Sequence, residues 1–161
     1  MRTEQQGAEA PHDLAWKGIE HCRRGDWTEG LYWLSLAAES PGEREDLPPL
    51  FFSFLGHGIA RLEGKKREGL ELCQRAAELE FHHPEVFRYL AETHLLLDDR
   101  RSAFEAVQRG LEIDSGDLEL RRLHSQLGER RQPVIPFLPR RHALNRLLGR
   151  LRHRWSRGDA P

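Results

Sequence analysis

The feature that most constrains this chain is a pattern of small residues that returns three times along it. Each occurrence opens with a proline, and a glycine or alanine follows seven residues later. The residues are Pro11, Pro49 and Pro84, followed by Gly18, Gly56 and Ala91. A second small residue stands later in each segment, and the step from Gly69 to Ala103 is 34 residues. A period of this size is typical of solenoids, in which one supersecondary unit stacks on the next.

Each segment has the pattern of two helices joined by a short turn. A proline suits the first helical turn, because the N–H that it lacks would have no partner there. A glycine within a helix costs about 1 kcal/mol relative to alanine, so its recurrence indicates close approach of a second helix. Apolar residues at helical spacing, such as Leu31 and Leu34, mark the second helices. We predict an all-α fold of antiparallel helix pairs, with turns at 24–26, 63–65 and 98–99.

This pattern resembles the tetratricopeptide repeat (TPR) family. Residues 83–115 follow the family's 34-residue frame without a gap, whereas the second unit needs one extra residue at its turn. Lys17 departs from the pattern, since the family prefers leucine there. The resemblance implies that residues 11–128 form a right-handed superhelix of about three repeats and a half-repeat. Related helix pairs of the Sel1-like type remain a minor alternative.

The resemblance also implies a concave groove lined by the first helix of each pair. The family's groove positions fall here on Arg23, Leu50, Ser53, His57, Arg61, Glu85, Arg88, Glu92 and Leu96. The three arginines suit an acidic peptide, although an exposed arginine on a helix is often only a solvated side chain. The set lacks the concentrated clamp that some members use on a peptide's terminal carboxylate.

Charge is distributed unevenly along the chain. Its net charge is −1, but residues 1–128 sum to −8 and residues 129–161 to +7, and every base in the second part is arginine. Three prolines in 133–139 exclude a helix there, so we expect an extended linker over 129–139. A leucine stripe then predicts a basic amphipathic helix over 140–156, followed by a disordered tail over 157–161. Residues 1–10 are predicted to be a flexible N-terminus.

The basic helix has two interpretations. In one, its leucines cap the end of the solenoid and its arginines face solvent. In the other, the arginines dock on an anionic membrane surface, a nucleic acid or an acidic protein groove. The arginines in question are Arg140, Arg141, Arg146, Arg150, Arg152 and Arg154. The charge distribution also suggests contact between the basic helix and the acidic solenoid of the same or a neighbouring copy.

The sequence contains no motif that argues for catalysis. Gly56-His57-Gly58 follows no strand, and the nine histidines show no metal-ligand spacing, so we predict no enzyme activity, cofactor or metal. Cys22 and Cys73 are expected to be small core residues in a reducing compartment. The N-terminus lacks an apolar signal region, and no apolar run is long enough to span a membrane, so we expect a cytoplasmic protein.

These observations predict a non-enzymatic scaffold or adaptor that binds a peptide or helix of a partner protein, with no small-molecule substrate. Self-association is a further option. The alternative is an adaptor that docks to a membrane or nucleic acid through its arginine-rich end.

Overall fold

The computed structural model describes residues 10–41, 47–48 and 50–128. Within them lie seven α-helices and no strand. The helices are α1 (Pro11–Arg23), α2 (Trp27–Glu39), α3 (Phe51–Gly58, extended by a π-helical turn at Ile59–Glu63), α4 (Lys66–Leu79), α5 (Pro84–Leu96), α6 (Arg100–Ile113) and α7 (Leu118–Gly128). Consecutive helices pair as α1/α2, α3/α4 and α5/α6, and α7 packs on α6. The predicted all-α architecture of stacked helix pairs is therefore confirmed.

The small residues of the sequence pattern lie where the two helices of a pair cross. A Cβ on Gly18 would stand 2.9 Å from the carbonyl oxygen of Gly30, and one on Gly56 would stand 2.6 Å from that of Gly69. Both distances are shorter than van der Waals contact, so only glycine permits these two crossings. In the third pair Ala91 occupies the matching position and is fully buried.

The core runs between successive pairs as two groups of buried side chains. Phe51 and Phe54 of α3 pack with Ile19 and Leu34 of the first pair. A second group joins α5 and α6 to α7, whose Leu120 is fully buried. Each pair therefore covers an apolar face of its neighbour, as expected of a solenoid.

The second unit differs from its neighbours by one extra residue. The step from Gly56 to Gly69 is thirteen positions, whereas the corresponding step in each of the other two units is twelve. The sequence prediction placed the additional residue in the turn, and the structure corrects this. Only Gly64 and Lys65 separate α3 from α4, and the extra residue lies in the π-helical turn Ile59–Glu63. A π-helical turn holds one more residue than an α-helical turn, so the helix itself absorbs the insertion.

Several predictions lie outside the described residues. They concern the N-terminal residues 1–9, the linker at 129–139, the basic helix at 140–156 and the tail at 157–161. The chain divides into two units between residues 128 and 129, and the helices described here belong to the first.

Candidate functional site

Three arginines lie on the face formed by α1, α3 and α5, which we call the inner face. Each guanidinium lies over a different aromatic ring, at 5.6 Å for Arg23 over Phe54, 5.5 Å for Arg61 over Trp27 and 4.5 Å for Arg88 over Tyr89. The rings themselves form one group, since Trp27 stacks on Phe54 at 6.0 Å and meets Tyr89 edge-on at 5.5 Å. We call the arginines the arginine cluster and the three rings the aromatic base.

Glu85 joins two members of the arginine cluster. Its Oε2 accepts a hydrogen bond from Arg23 Nη2 at 2.5 Å, and its Oε1 accepts one from Arg88 Nη2 at 2.9 Å. The first contact links α1 to α5 across 62 residues of sequence. The hydrogen bond to Glu85 raises the pKa of Arg23. Arg88 Nη2 also donates to the hydroxyl of Tyr89 at 2.7 Å, so the bridge is fixed to the aromatic base.

A buried histidine lies behind the arginine cluster. His57 Nε2 stands 3.3 Å from Glu92 Oε2, and His57 Nδ1 stands 3.2 Å from Thr93 Oγ1. Burial lowers the pKa of His57 to about 4, with smaller contributions from Arg61 and Arg88. Burial also raises the pKa of Glu92, and the same two arginines oppose that rise. The two groups therefore favour a neutral imidazole next to a carboxyl group that binds its proton more tightly than usual.

The structure divides the nine groove residues predicted from the sequence into two sets. Leu50, Ser53 and His57 are buried and present no side chain to a partner. The remaining six are exposed or half-buried: Arg23, Arg61, Glu85, Arg88, Glu92 and Leu96. The three arginines lie over the aromatic base, Glu85 joins two of them, and Glu92 stands against His57. Leu96 lies at the end of α5, where its carbonyl oxygen accepts a hydrogen bond from Lys66 Nζ at 2.7 Å.

The aromatic base itself was missing from the sequence-predicted site. A signal for part of it exists, because an aromatic residue stands five positions after the proline of every unit, at Trp16, Phe54 and Tyr89. The first of these does not join the base: Trp16 is 40% exposed and donates to His12 Nε2 at 3.1 Å. Trp27 comes instead from the start of α2, so the base combines two different positions of the repeat.

Both cysteines are free and buried, as the sequence predicted for core residues. Burial raises the pKa of each thiol to about 12, so neither thiol is a reactive nucleophile near neutral pH. Over residues 10–41, 47–48 and 50–128, no group of three or more His, Cys, Asp or Glu side chains is placed to hold a metal ion. In the same ranges, none of the helices combines the length and the apolar character that crossing a bilayer requires.

The arginines predicted to face an anionic partner lie outside the described residues. They are Arg140, Arg141, Arg146, Arg150, Arg152 and Arg154. Whether their helix caps the solenoid or acts on a second molecule stays a prediction.

The fold matches those of several solved structures. The second TPR domain of human RPAP3, in complex with the HSP70 peptide SGPTIEEVD, is 13% identical with a TM-score of 0.56, and the match covers 75% of this chain and 100% of that one. The TPR2B domain of yeast Sti1, in its pHsp70 complex, is 16% identical with a TM-score of 0.58, covering 75% and 98%. Pseudomonas aeruginosa PcrH, in complex with the chaperone-binding region of PopB, is 16% identical with a TM-score of 0.52, covering 79% and 95%.

No family model and no curated protein matches the sequence. Identities of this size establish the fold alone, and on that point the structures agree with the repeat pattern. The described part of the chain is a helical repeat solenoid with the fold of TPR domains.

Proposed function

We propose that this protein is a non-enzymatic interaction module that binds a peptide or helix of a partner protein on its inner face. The observation that carries the proposal is the assembly of Arg23, Arg61 and Arg88 around one aromatic base, from three consecutive repeats. Rings and guanidinium groups are the side chains most enriched in the energetically dominant parts of protein interfaces. The RPAP3 and Sti1 domains and PcrH are each described in complex with a protein or peptide partner, which supports the same class of function here.

The exposed residues of the inner face favour binding over catalysis. Arg61 carries its charge in the open, above the half-buried ring of Trp27. The buried His57 contacts Glu92 and Thr93, and both rings beside it, Trp27 and Tyr89, shield it from solvent. A ligand therefore meets the guanidinium groups and the half-buried ring of Trp27 first, because Phe54 and Tyr89 are buried. Such a surface holds a preformed arrangement of donors, which limits the entropy lost on binding.

The test is to select peptides for the full-length protein from a random displayed library and to measure their affinity by fluorescence anisotropy. The key variant is Arg61→Glu, with Arg67→Glu as its matched control, because Arg67 is an exposed arginine on α4 with the same change of charge. We expect Arg61→Glu to weaken binding by about tenfold or more, since it replaces a donor at the ligand by a repelling charge.

Arg67→Glu is expected to stay within about twofold of the wild type, because it changes only the long-range charge. Circular dichroism of both variants reports whether helicity is retained. Equal losses of peptide affinity in the two variants would indicate that the binding surface is not the inner face. Failure to select any peptide that binds the full-length chain would count against the proposed function as a whole.

A further inference from the structure

Glu85 occupies the position on the arginine cluster that an acidic ligand would take. It lies on α5 of the third repeat, yet it accepts hydrogen bonds from Arg23 of the first repeat and from Arg88 beside it. The side chain of Glu85 is 18% exposed and that of Arg23 is 42% exposed, so the carboxylate is shielded while the guanidinium of Arg23 stays open to water. Charge-assisted hydrogen bonds of this kind are the strong ones in proteins. Two of the three arginines are thus engaged by a carboxylate that belongs to the protein itself.

The arginine cluster still has unfilled capacity to bind carboxylates. Among the described residues, no carboxylate lies within ion-pair distance of Arg61, whose guanidinium rests on Trp27. The Nε of Arg88 is buried and has no hydrogen-bond partner in the described part of the chain. A buried donor without a partner costs free energy, so a rearrangement of Arg88 that brought this nitrogen to an acceptor of the ligand would be favoured. Of the three guanidinium groups, two therefore share Glu85, and the third has no ion-paired carboxylate among the described residues. Glu92, the other carboxyl group beside them, has its Oε2 3.3 Å from His57 Nε2.

The π-helical turn adds to this arrangement. Arg61 lies at the middle of Ile59–Glu63, the segment that absorbs the extra residue of the second unit. That extra residue changes the direction in which the following side chains leave the helix. In the structure, Arg61 lies over Trp27, a residue of the first pair. The second unit thus contributes its arginine to a surface that it shares with the first and third units.

We propose that the partner segment bound on the inner face is acidic, and that Glu85 is its internal competitor for Arg23 and Arg88. This inference rests on the proposed function. A carboxylate of the partner first meets the open Arg61, and a neighbouring carboxylate then displaces Glu85 from the other two arginines. Glu85 consequently sets the negative charge that a segment needs in order to bind. Segments with several carboxylates displace Glu85 from the arginines, and neutral or basic segments do not. Glu85 is a specificity-determining residue because it competes for the same donors.

The bridge also has a simpler interpretation, which the test must separate from this one. Glu85 ties α1 to α5, and a purely structural tie would be lost together with stability when Glu85 is changed. A competitor behaves differently, because its removal frees donors for the ligand. Glu85→Gln keeps the size of the side chain and removes its charge. Glu71→Gln is the matched control, since Glu71 is exposed on α4 and the change of net charge is the same.

The experiment titrates the full-length protein into fluorescein-labelled hexaglutamate, hexaglutamine and hexalysine, and reads anisotropy at low and high salt. We expect hexaglutamate alone to bind, with an affinity that falls as salt screens the charges. Glu85→Gln should bind hexaglutamate about tenfold more tightly, whereas Glu71→Gln should stay within about twofold of the wild type. Urea unfolding of the same variants shows whether the bridge also acts as a tie.

Three results would overturn the inference. One is that hexaglutamine or hexalysine binds as well as hexaglutamate does, which would show that recognition does not depend on carboxylates of the peptide. Another is an affinity for hexaglutamate that Glu85→Gln leaves unchanged or lowers, which makes Glu85 a structural tie. The third is no binding of hexaglutamate at all. If library-selected peptides still bind and still depend on Arg61, the inference fails while the proposed function stands. If those peptides fail too, both are overturned.

Discussion

At the crossing of α3 and α4, Gly56 and Gly69 allow two helix backbones to meet without any side chain between them. On the inner face, by contrast, long charged side chains from α1, α3 and α5 meet over a layer of rings. The crossing tolerates no added atom, because its distances leave no room. The inner face holds partly desolvated charges, which contribute little to folding free energy or oppose it. One region fixes the geometry of the repeat, and the other uses that geometry to assemble a surface.

The largest effect is expected from a substitution at the crossing of α3 and α4. In Gly56→Ala the new Cβ would stand 2.6 Å from the carbonyl oxygen of Gly69 and 2.8 Å from Leu72 Cβ. The third neighbour is Cys73 Sγ at 3.0 Å. The backbone oxygen and Leu72 Cβ cannot rotate away, so α3 and α4 have to separate. We expect the free energy of unfolding to fall by about 3 kcal/mol. Urea unfolding followed by circular dichroism measures this loss.

Gly128→Ala is the control for that substitution. It makes the same chemical change at the end of α7, where none of the residues that the structure describes lies within 4 Å of the added Cβ. We expect no destabilisation there. If the two variants unfold at the same urea concentration, close approach of backbones is not the reason for Gly56.

The second prediction concerns the pH dependence of stability and tests His57, which lies behind the arginine cluster of the inner face. An unfolded chain protonates His57 near its ordinary pKa of 6.5, whereas the folded chain resists protonation down to about pH 4. The unfolded state therefore binds more protons between these values, so stability is full above about pH 6.5 and falls as the pH is lowered. Between pH 7 and pH 5 we expect this residue to remove about 2 kcal/mol of stability. Urea unfolding at both pH values checks the loss.

The control for the pH prediction is His57→Gln. Glu92 has a raised pKa and acts in the opposite sense, because the folded state then binds its proton more tightly than the unfolded state. The variant retains Glu92 but lacks the imidazole, so its stability should fall less on acidification than that of the wild type. An identical pH dependence in the two proteins would show that His57 is not the responsible group.

The sequence predicts where the helices of each pair cross, but it predicts the residues of the inner face only in part. Small residues at a fixed period have one physical reason, close helix approach, and they located the helix pairs correctly. The prediction that the extra residue of the second unit lies in the turn was wrong. A π-helical turn and a longer loop give the same spacing in sequence, so the spacing cannot distinguish them.

The positions of side chains on the inner face depend on contacts between different repeats. The spacing within one repeat places Glu85 on the groove side, but it carries no information that Arg23 reaches it from 62 residues away. Similarly, Ser53 and His57 fall at groove positions of the helix and are nevertheless covered. The rings of Trp27 and Tyr89 lie against His57 at 4.9 and 5.2 Å. Which groove positions remain open is therefore decided by residues of other repeats.

A third prediction compares the crossings with each other. Ala91 stands in the third pair where glycine stands in the first two, and it is fully buried. Since this crossing has room for a methyl group, Ala91→Gly should cost about 1 kcal/mol through lost helix propensity and packing. The measurement is again the urea midpoint. A stabilised variant would indicate that the third pair is as tight as the others.

The smallest effect is expected at Arg61, and it separates the two regions most clearly. Its charge is exposed, and its contact is the face of Trp27 at 5.5 Å. Loss of one exposed cation–π contact in Arg61→Gln should change the free energy of unfolding by about 0.5 kcal/mol or less. Peptide binding should nevertheless weaken, because the substitution removes an open donor of the arginine cluster. A destabilisation as large as that of Gly56→Ala would mean that the inner face supports the fold as the crossings do, and the distinction between the two regions would be lost.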